Sequence, residues 1–270
     1  MEFVGILLFL SWLNYGSTQK PCIPRSVNGD TSRIVCVCNS TYCDEFPPLG
    51  TLNPYDVAVY TSSISGKRFE RTTATFTNIP PFGLGGLLGG LTQLTVRLDD
   101  SKQYQKMTGF GCSLGESPAY HLFQSKLSND SKKSLLHAFF GQEEYAKQGI
   151  NFWGMTVQNE GFSTGLVGVS WAAMWMGPEM TSKFVRPDSI RVDLDIIGIQ
   201  GVSIQGADLL KGDVDGVGFL TSSKQHVVVL QNRNNNTSYQ LSIQDAGISG
   251  KEVKLTIEPN SFVTLVWNKI

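Results

Sequence analysis

The chain has 270 residues, 41% of them hydrophobic, and a formal net charge of −1. That size and balance fit one large globular domain or two modest ones. The near-neutral charge offers no basic footprint for nucleic acid, and no run beyond the N-terminus is apolar for long enough to span a bilayer.

Residues 1–18 have the form of a secretory signal peptide. Val4 to Leu13 make its apolar core, and Gly16, Ser17 and Thr18 are the small residues of a cleavage region. The alternative for this stretch is a buried N-terminal strand or helix. Cys22, Cys36, Cys38 and Cys43 follow closely. Four cysteines allow three pairings, and a tight cluster just after a signal points to two disulfides. Zinc sites use C-x₂₋₄-C pairs, and these spacings fit that pattern poorly. Cys112 is left over, as a small buried thiol. Sequons at Asn39, Asn129, and the overlapping Asn235 and Asn236 fit the same oxidising, glycosylating route.

From 19 to 108 the chain reads as β. "RIVCVC", "YDVAVYTSS", "KRFERTTATF" and "LTQLTVRL" carry β-branched residues in near alternation, and "SISGKRF" has a glycine where a hairpin turns. "GLGGLLGGL" is a loop of low complexity. Residues 109–180 are mixed α/β. Leu135, Leu136, Phe139 and Phe140 recur at helical spacing after Ser128, an N-cap with Asp130 in the first turn. The apolar run "INFWGMTV" reads as a strand covered on both faces. In "WAAMWMGPEM", Trp171, Met174 and Trp175 read as core packing. From 181 to 270 the chain returns to β: "HVVVLQN", "SYQLSIQD", "KEVKLTIEP" and "SFVTLVWN" have the spacing and alternation of an antiparallel sandwich.

Chemistry concentrates where the second apolar strand ends, in Gln158-Asn159-Glu160-Gly161. Polar residues at the C-terminal end of a buried parallel strand point into the crevice where α/β folds and barrels place their sites. A Glu there, among apolar neighbours, tends toward a raised pKa and suits general-acid work. A polar turn after a strand is the plain alternative.

Several separated blocks resemble the acid β-glucosidases, the lysosomal glucosylceramidases. They are "PCIP" with "VCVCNSTYCD", "YQKMTGFGCS", "FWGMTVQNEG", "SKFVRPDSIRV" and "VVVLQNRNNNTSYQLSIQD", in the family's order. The resemblance implies a (β/α)₈ barrel joined to a β-sandwich built from N- and C-terminal segments. The chain would then be α/β plus all-β. It also implies pairs Cys22–Cys36 and Cys38–Cys43, Glu160 as catalytic acid/base, and Asn159 and Glu116 as sugar-binding residues. The reaction implied is retaining hydrolysis of the β-glucosidic bond of glucosylceramide, with no cofactor or metal. A saposin-type activator, peripheral membrane contact and a lysosomal or secreted location follow from the same resemblance.

The chain also departs from the family. A barrel takes roughly 200 residues or more, whereas residues 109–180 hold two strands, about "GFGCS" and "NFWGMTV", with a helix between. The block carrying the family's nucleophilic Glu falls in a gap near Met180, so no nucleophile is found; Glu179 and Asp188 are the acids nearest that place. Retaining glycosidases need two carboxyl groups about 5–5.5 Å apart. Gly161 stands where the family commonly has proline, and Glu116 where it has aspartate. The expectation is a family enzyme impaired or inactive in hydrolysis. The alternative is a non-catalytic secreted β-sandwich glycoprotein that binds a sugar or a protein partner. A Ser-His-Asp hydrolase is set aside: His121, His137 and His226 come without a G-x-S-x-G elbow.

Overall fold

A computed structural model describes residues 20–80, 92–108, 110–112, 126–140, 150–152, 183–198 and 212–270. The signal segment 1–18, the glycine-rich loop at 83–91, the Trp171–Trp175 stretch, Glu116, Asn159, Glu160, Gly161 and Glu179 lie outside the described residues.

The N-terminal strands are β1 (Pro24–Val27), β2 (Asp30–Cys36), β3 (Asp56–Ser63), β4 (Glu70–Thr75), β5 (Thr77–Asn78) and β6 (Gln93–Lys106). The middle holds β7 (Phe110–Cys112), α1 (Asn129–Phe140) and β8 (Ile150–Phe152). The C-terminal strands are β9 (Ile190–Gly198), β10 (Val214–Leu220), β11 (Gln225–Asn232), β12 (Tyr239–Asp245), β13 (Lys251–Ile257) and β14 (Ser261–Asn268).

Ten of these strands form one sheet in the order β4-β3-β14-β11-β10-β9-β6-β12-β13-β5. Segments from both ends of the chain alternate within it: N-terminal β3 pairs with C-terminal β14, and β6 lies between β9 and β12. The pairings are antiparallel except β6 with β12, which runs parallel. That corrects the all-antiparallel expectation. Alternation of inward and outward side chains is the same in both kinds of ladder, so the pattern carries no strand direction.

The sheet folds over on itself, and its inner faces meet in one core. Val57 and Val59 of β3, Val96 and Leu98 of β6, Val228 and Leu230 of β11, Leu241 and Ile243 of β12, Val253 and Ile257 of β13, and Leu265 and Trp267 of β14 belong to it. Strands β3, β11 and β14 are buried on their other face too. There Ala58, Tyr60, Val227, Val229 and Val266 pack under Leu52, Phe69, Phe184 and Val185. This double coverage explains why "HVVVL" is apolar without a break.

The covering segments are pinned by side chain to backbone bonds. Asn268 Nδ2 donates to Leu52 O at 3.0 Å, an Arg71 guanidinium N–H to Leu49 O at 2.9 Å, and Lys183 Nζ to Pro47 O at 2.8 Å. The buried Lys183 ammonium also lies 5.0–5.7 Å from the ring centres of Phe46, Tyr60, Phe69 and Phe184, whose π faces attract it. Burial pushes the Tyr60 hydroxyl up to about 12, against the lowering effect of Arg71.

Strand β10 contains two glycines because its neighbours leave no room. A Cβ on Gly218 would stand 2.4 Å from Leu98 Cδ1 and 3.4 Å from Val192 Cγ2. Leu98 is fully buried, so its side chain has little space to yield. Gly218→Ala should therefore destabilise the fold by about 1–3 kcal/mol. Urea unfolding checks this; a midpoint equal to wild type would mean that Leu98 repacks without cost.

Candidate functional site

The middle segment is built as the sequence pattern predicts, as far as it is described. The Ser131 backbone N–H donates to Ser128 Oγ at 3.1 Å, so Ser128 caps α1, and Asp130 sits in the first turn. Strands β7 and β8 run parallel, with Phe110 opposite Ile150 and Cys112 opposite Phe152. With α1 between them they form a β-α-β unit. Because the strands are parallel and in this register, the chain leaves Cys112 and Phe152 at the same edge of the pair. Glu116 and Asn159-Glu160 follow these two strands in the sequence and lie outside the described residues. A whole barrel is not part of the described structure, which is predominantly β-sheet.

Asp188 has a different setting from a nucleophile. It occupies a turn before β9 with φ 71°, its side chain is 67% exposed, and Lys106 Nζ pairs with it at 2.6 Å. A retaining nucleophile faces the sugar from a cavity wall, opposite a second carboxyl; Asp188 faces solvent and a lysine.

Cys22–Cys36 and Cys38–Cys43 are disulfide-bonded, as the resemblance implies, so their sulfurs are not free to bind a metal. The first bridge ties the start of the chain to the end of β2. The second closes the loop that holds Asn39, whose Oδ1 accepts from the Thr41 and Tyr42 backbone N–H groups, both at 2.9 Å. Asn39, Asn129, Asn235 and Asn236 are all exposed. A cavity of about 370 Å³ opens between this loop and α1, lined by Lys20, Tyr42, Asp44, Glu45, Lys133 and His137. Its charges are largely spent locally: Lys20 pairs with Glu45 at 3.1 Å and Arg68 with Asp44 at 3.2 Å.

The densest charged cluster among the described residues lies in the sandwich, where the sequence reading assigned no role. His226 Nδ1 is 2.7 Å from Asp245 Oδ2, and Nε2 is 3.1 Å from Asp100 Oδ2. Trp267 Nε1 donates to Asp245 Oδ2 at 2.7 Å, and Lys269 pairs with Asp100. Burial disfavours the imidazolium, but the Asp245 and Asp100 carboxylates outweigh it and raise His226 above its ordinary 6.5. Burial likewise opposes ionisation of Asp245, yet His226, Trp267 and the Gly247 N–H hold it below 3.8. Alternation gave a signal for this cluster. His226 shares a strand face with Val228 and Leu230, Asp245 with Leu241 and Ile243, and Trp267 with Leu265, so all three point inward. Among the described residues both ring nitrogens of His226 face carboxylates rather than a hydroxyl or thiol.

No helix among the described residues is long and apolar enough to cross a membrane. Residues 188–265 match the glycosyl hydrolase family 30 β-sandwich domain. That span begins at the turn before β9 and ends within β14, so the matched residues are C-terminal strands of the large sheet.

Among relatives, the chain is 31% identical over 140 residues to putative glucosylceramidase 3 of Caenorhabditis elegans, covering 52% of this chain and 25% of that protein. It is 32% identical over 148 residues to lysosomal acid glucosylceramidase of Mus musculus, covering 52% and 24%. Over about half its length the chain is thus similar to glucosylceramidases. It spans about a quarter of the length of the curated relatives it matches. The solved structure of SrfJ from Salmonella typhimurium overlays 36% of this chain and 18% of its own, at 24% identity and a TM-score of 0.27.

Proposed function

We propose that this chain descends from a retaining glycoside hydrolase acting on the β-glucosidic bond of glucosylceramide, and that hydrolysis is impaired or lost in it. Glu160 is the acid/base of that design, with Asn159 and Glu116 at the sugar hydroxyls. The observation that carries this reading is the parallel β7–β8 pair, the two strands that Glu116 and Glu160 follow in the sequence. In the retaining reaction one carboxylic acid protonates the leaving oxygen while a second carboxylate attacks the anomeric carbon, so neither metal nor cofactor takes part. The missing part on this reading is the second carboxylate: among the described residues Asp188, the acid nearest its place in the sequence, is solvent-exposed and paired with Lys106.

On this reading residues 1–18 are a signal peptide, 19–108 an N-terminal disulfide-containing β segment, 109–180 an incomplete barrel segment and 181–270 the C-terminal sandwich segment. The lysosomal lumen or the secreted space is its place, with glycans on the exposed sequons. A saposin-type activator and a membrane surface are the partners that a glucosylceramide substrate requires. The reading as a non-catalytic sugar binder finds less support. Trp267 is core rather than platform, and the half-exposed Tyr104 carries the Arg191 guanidinium over its ring at 5.0 Å.

The test is hydrolysis of a fluorogenic β-glucoside at acid pH by the purified, folded chain, beside Glu160→Gln. No turnover by either is the expected result. Turnover by the wild-type chain that Glu160→Gln abolishes would show that another carboxylate serves as nucleophile, and the impaired reading would fall.

A further inference from the structure

His226, the second residue of β11, is 1% exposed and lies directly across from Trp267 of β14. Its two ring nitrogens face two different carboxylates, Asp245 at the end of β12 and Asp100 in β6. Ionised carboxylates only accept hydrogen bonds. Both contacts can therefore be hydrogen bonds only when both ring nitrogens carry a proton, which is the imidazolium. A neutral ring keeps one N–H and turns a lone pair toward the other carboxylate.

The surrounding charges fit the charged ring. Asp245 also accepts from Trp267 Nε1 and, through Oδ1, from Gly247 N at 2.8 Å; Asp100 is met by Lys269 just past β14. From β6 the neighbouring Asp99 is taken by Ser101 and Lys102, and β10 offers only Leu220 opposite His226. Two carboxylates are thus balanced by Lys269 and a cationic His226. With a neutral ring the cluster holds a buried excess negative charge.

The position gives the cluster leverage. Asp100 stands where the β6–β9 register breaks, between Asp99 and Gln103. Beyond it, residues 101–106 are exposed and lead to Met107 and then to β7. We propose that protonated His226 is an acid-side clamp, tying the root of the β6–β9 ribbon to the end of β12, and that loss of its proton in neutral to alkaline medium unties that root.

The direction of the pH effect follows from the groups themselves. His226 is raised above 6.5, so its contribution is complete below that value and is lost as pH rises through the higher folded value. Asp245 and Asp100 are lowered below 3.8 despite burial, so theirs is present above that value and is lost as pH falls through the folded ones. The clamp is closed between about pH 4 and 6.5.

The experiment uses the full chain and its His226→Gln and Asp100→Asn variants. Thermal unfolding and amide hydrogen exchange are read at about pH 5.5 and 8.5, with ¹⁵N shifts of the wild-type imidazoles. The wild type should lose several degrees of Tm at the higher pH, and amides 99–106 should exchange at least about tenfold faster there. His226→Gln should flatten both changes. If that variant does not fold, Asp100→Asn decides: its amide oxygen still accepts from Nε2, so the fold holds while the alkaline loss begins at lower pH. A pH-independent wild type, an undiminished alkaline loss in both variants, or a neutral His226 ring near pH 5.5 would overturn the proposal.

Discussion

Trp267→Ala is expected to cost about 3–5 kcal/mol, the range for deleting a large buried aromatic side chain. Small domains keep only about 5–15 kcal/mol in all. The residue is 1% exposed, lies between β3 and β11, and meets the Phe76 ring edge-on at 5.6 Å. Its indole N–H donates to Asp245. Trp267→Phe keeps most of the volume and removes the donor, so it should cost less, about 1–2 kcal/mol. Urea unfolding of the three proteins measures both. An alanine variant within about 1 kcal/mol of wild type would mean that the sandwich does not close around this ring.

The second large effect is at Asp245, with Asp245→Ala expected to lose about 3–5 kcal/mol. One carboxylate there receives the His226 imidazole, the Trp267 indole and the Gly247 backbone N–H. Removing it leaves a buried cation with a single partner and opens the β12–β13 turn. Asp245→Asn keeps an accepting oxygen and should be milder. Because Trp267→Phe and Asp245→Asn act on the same bond, their combined cost should fall short of the sum by at least about 0.5 kcal/mol. Strict additivity in that cycle would show that the 2.7 Å contact contributes nothing.

What could be read from the sequence follows from the range over which its physics acts. Strands with clean alternation emerge where expected: "YDVAVYTSS" as β3, "KEVKLTIEP" as β13, "SFVTLVWN" as β14. The Ser128 cap marks the start of α1 to the residue because capping is local. Strand β10, "VDGVGFL", was passed over: its glycines lower strand propensity, and only Leu98 and Leu230 across the ladder explain them. The parallel β6–β12 pair and the His226 cluster were hidden for the same reason. Each joins residues far apart in the chain, and alternation reports a facing direction without naming a partner. The candidate chemistry was the reverse case. Glu160 came from family resemblance, and the local pattern by itself fixed only a strand with a polar end.

The pairing of β3 with β14 also governs how such a chain can be made. Val57 emerges from the ribosome long before its partner Trp267 exists. At synthesis rates of about 5–20 residues per second, β3 waits roughly ten to forty seconds with an apolar edge unsatisfied. Until then it can bond to any other extended segment, its own or a neighbour's. Closure is late and non-local, the slow regime of folding. Since β14 lies inside the sheet between β3 and β11, a chain interrupted before β14 is made has its seam open. Quality of the finished sandwich is thus decided by the arrival of β14.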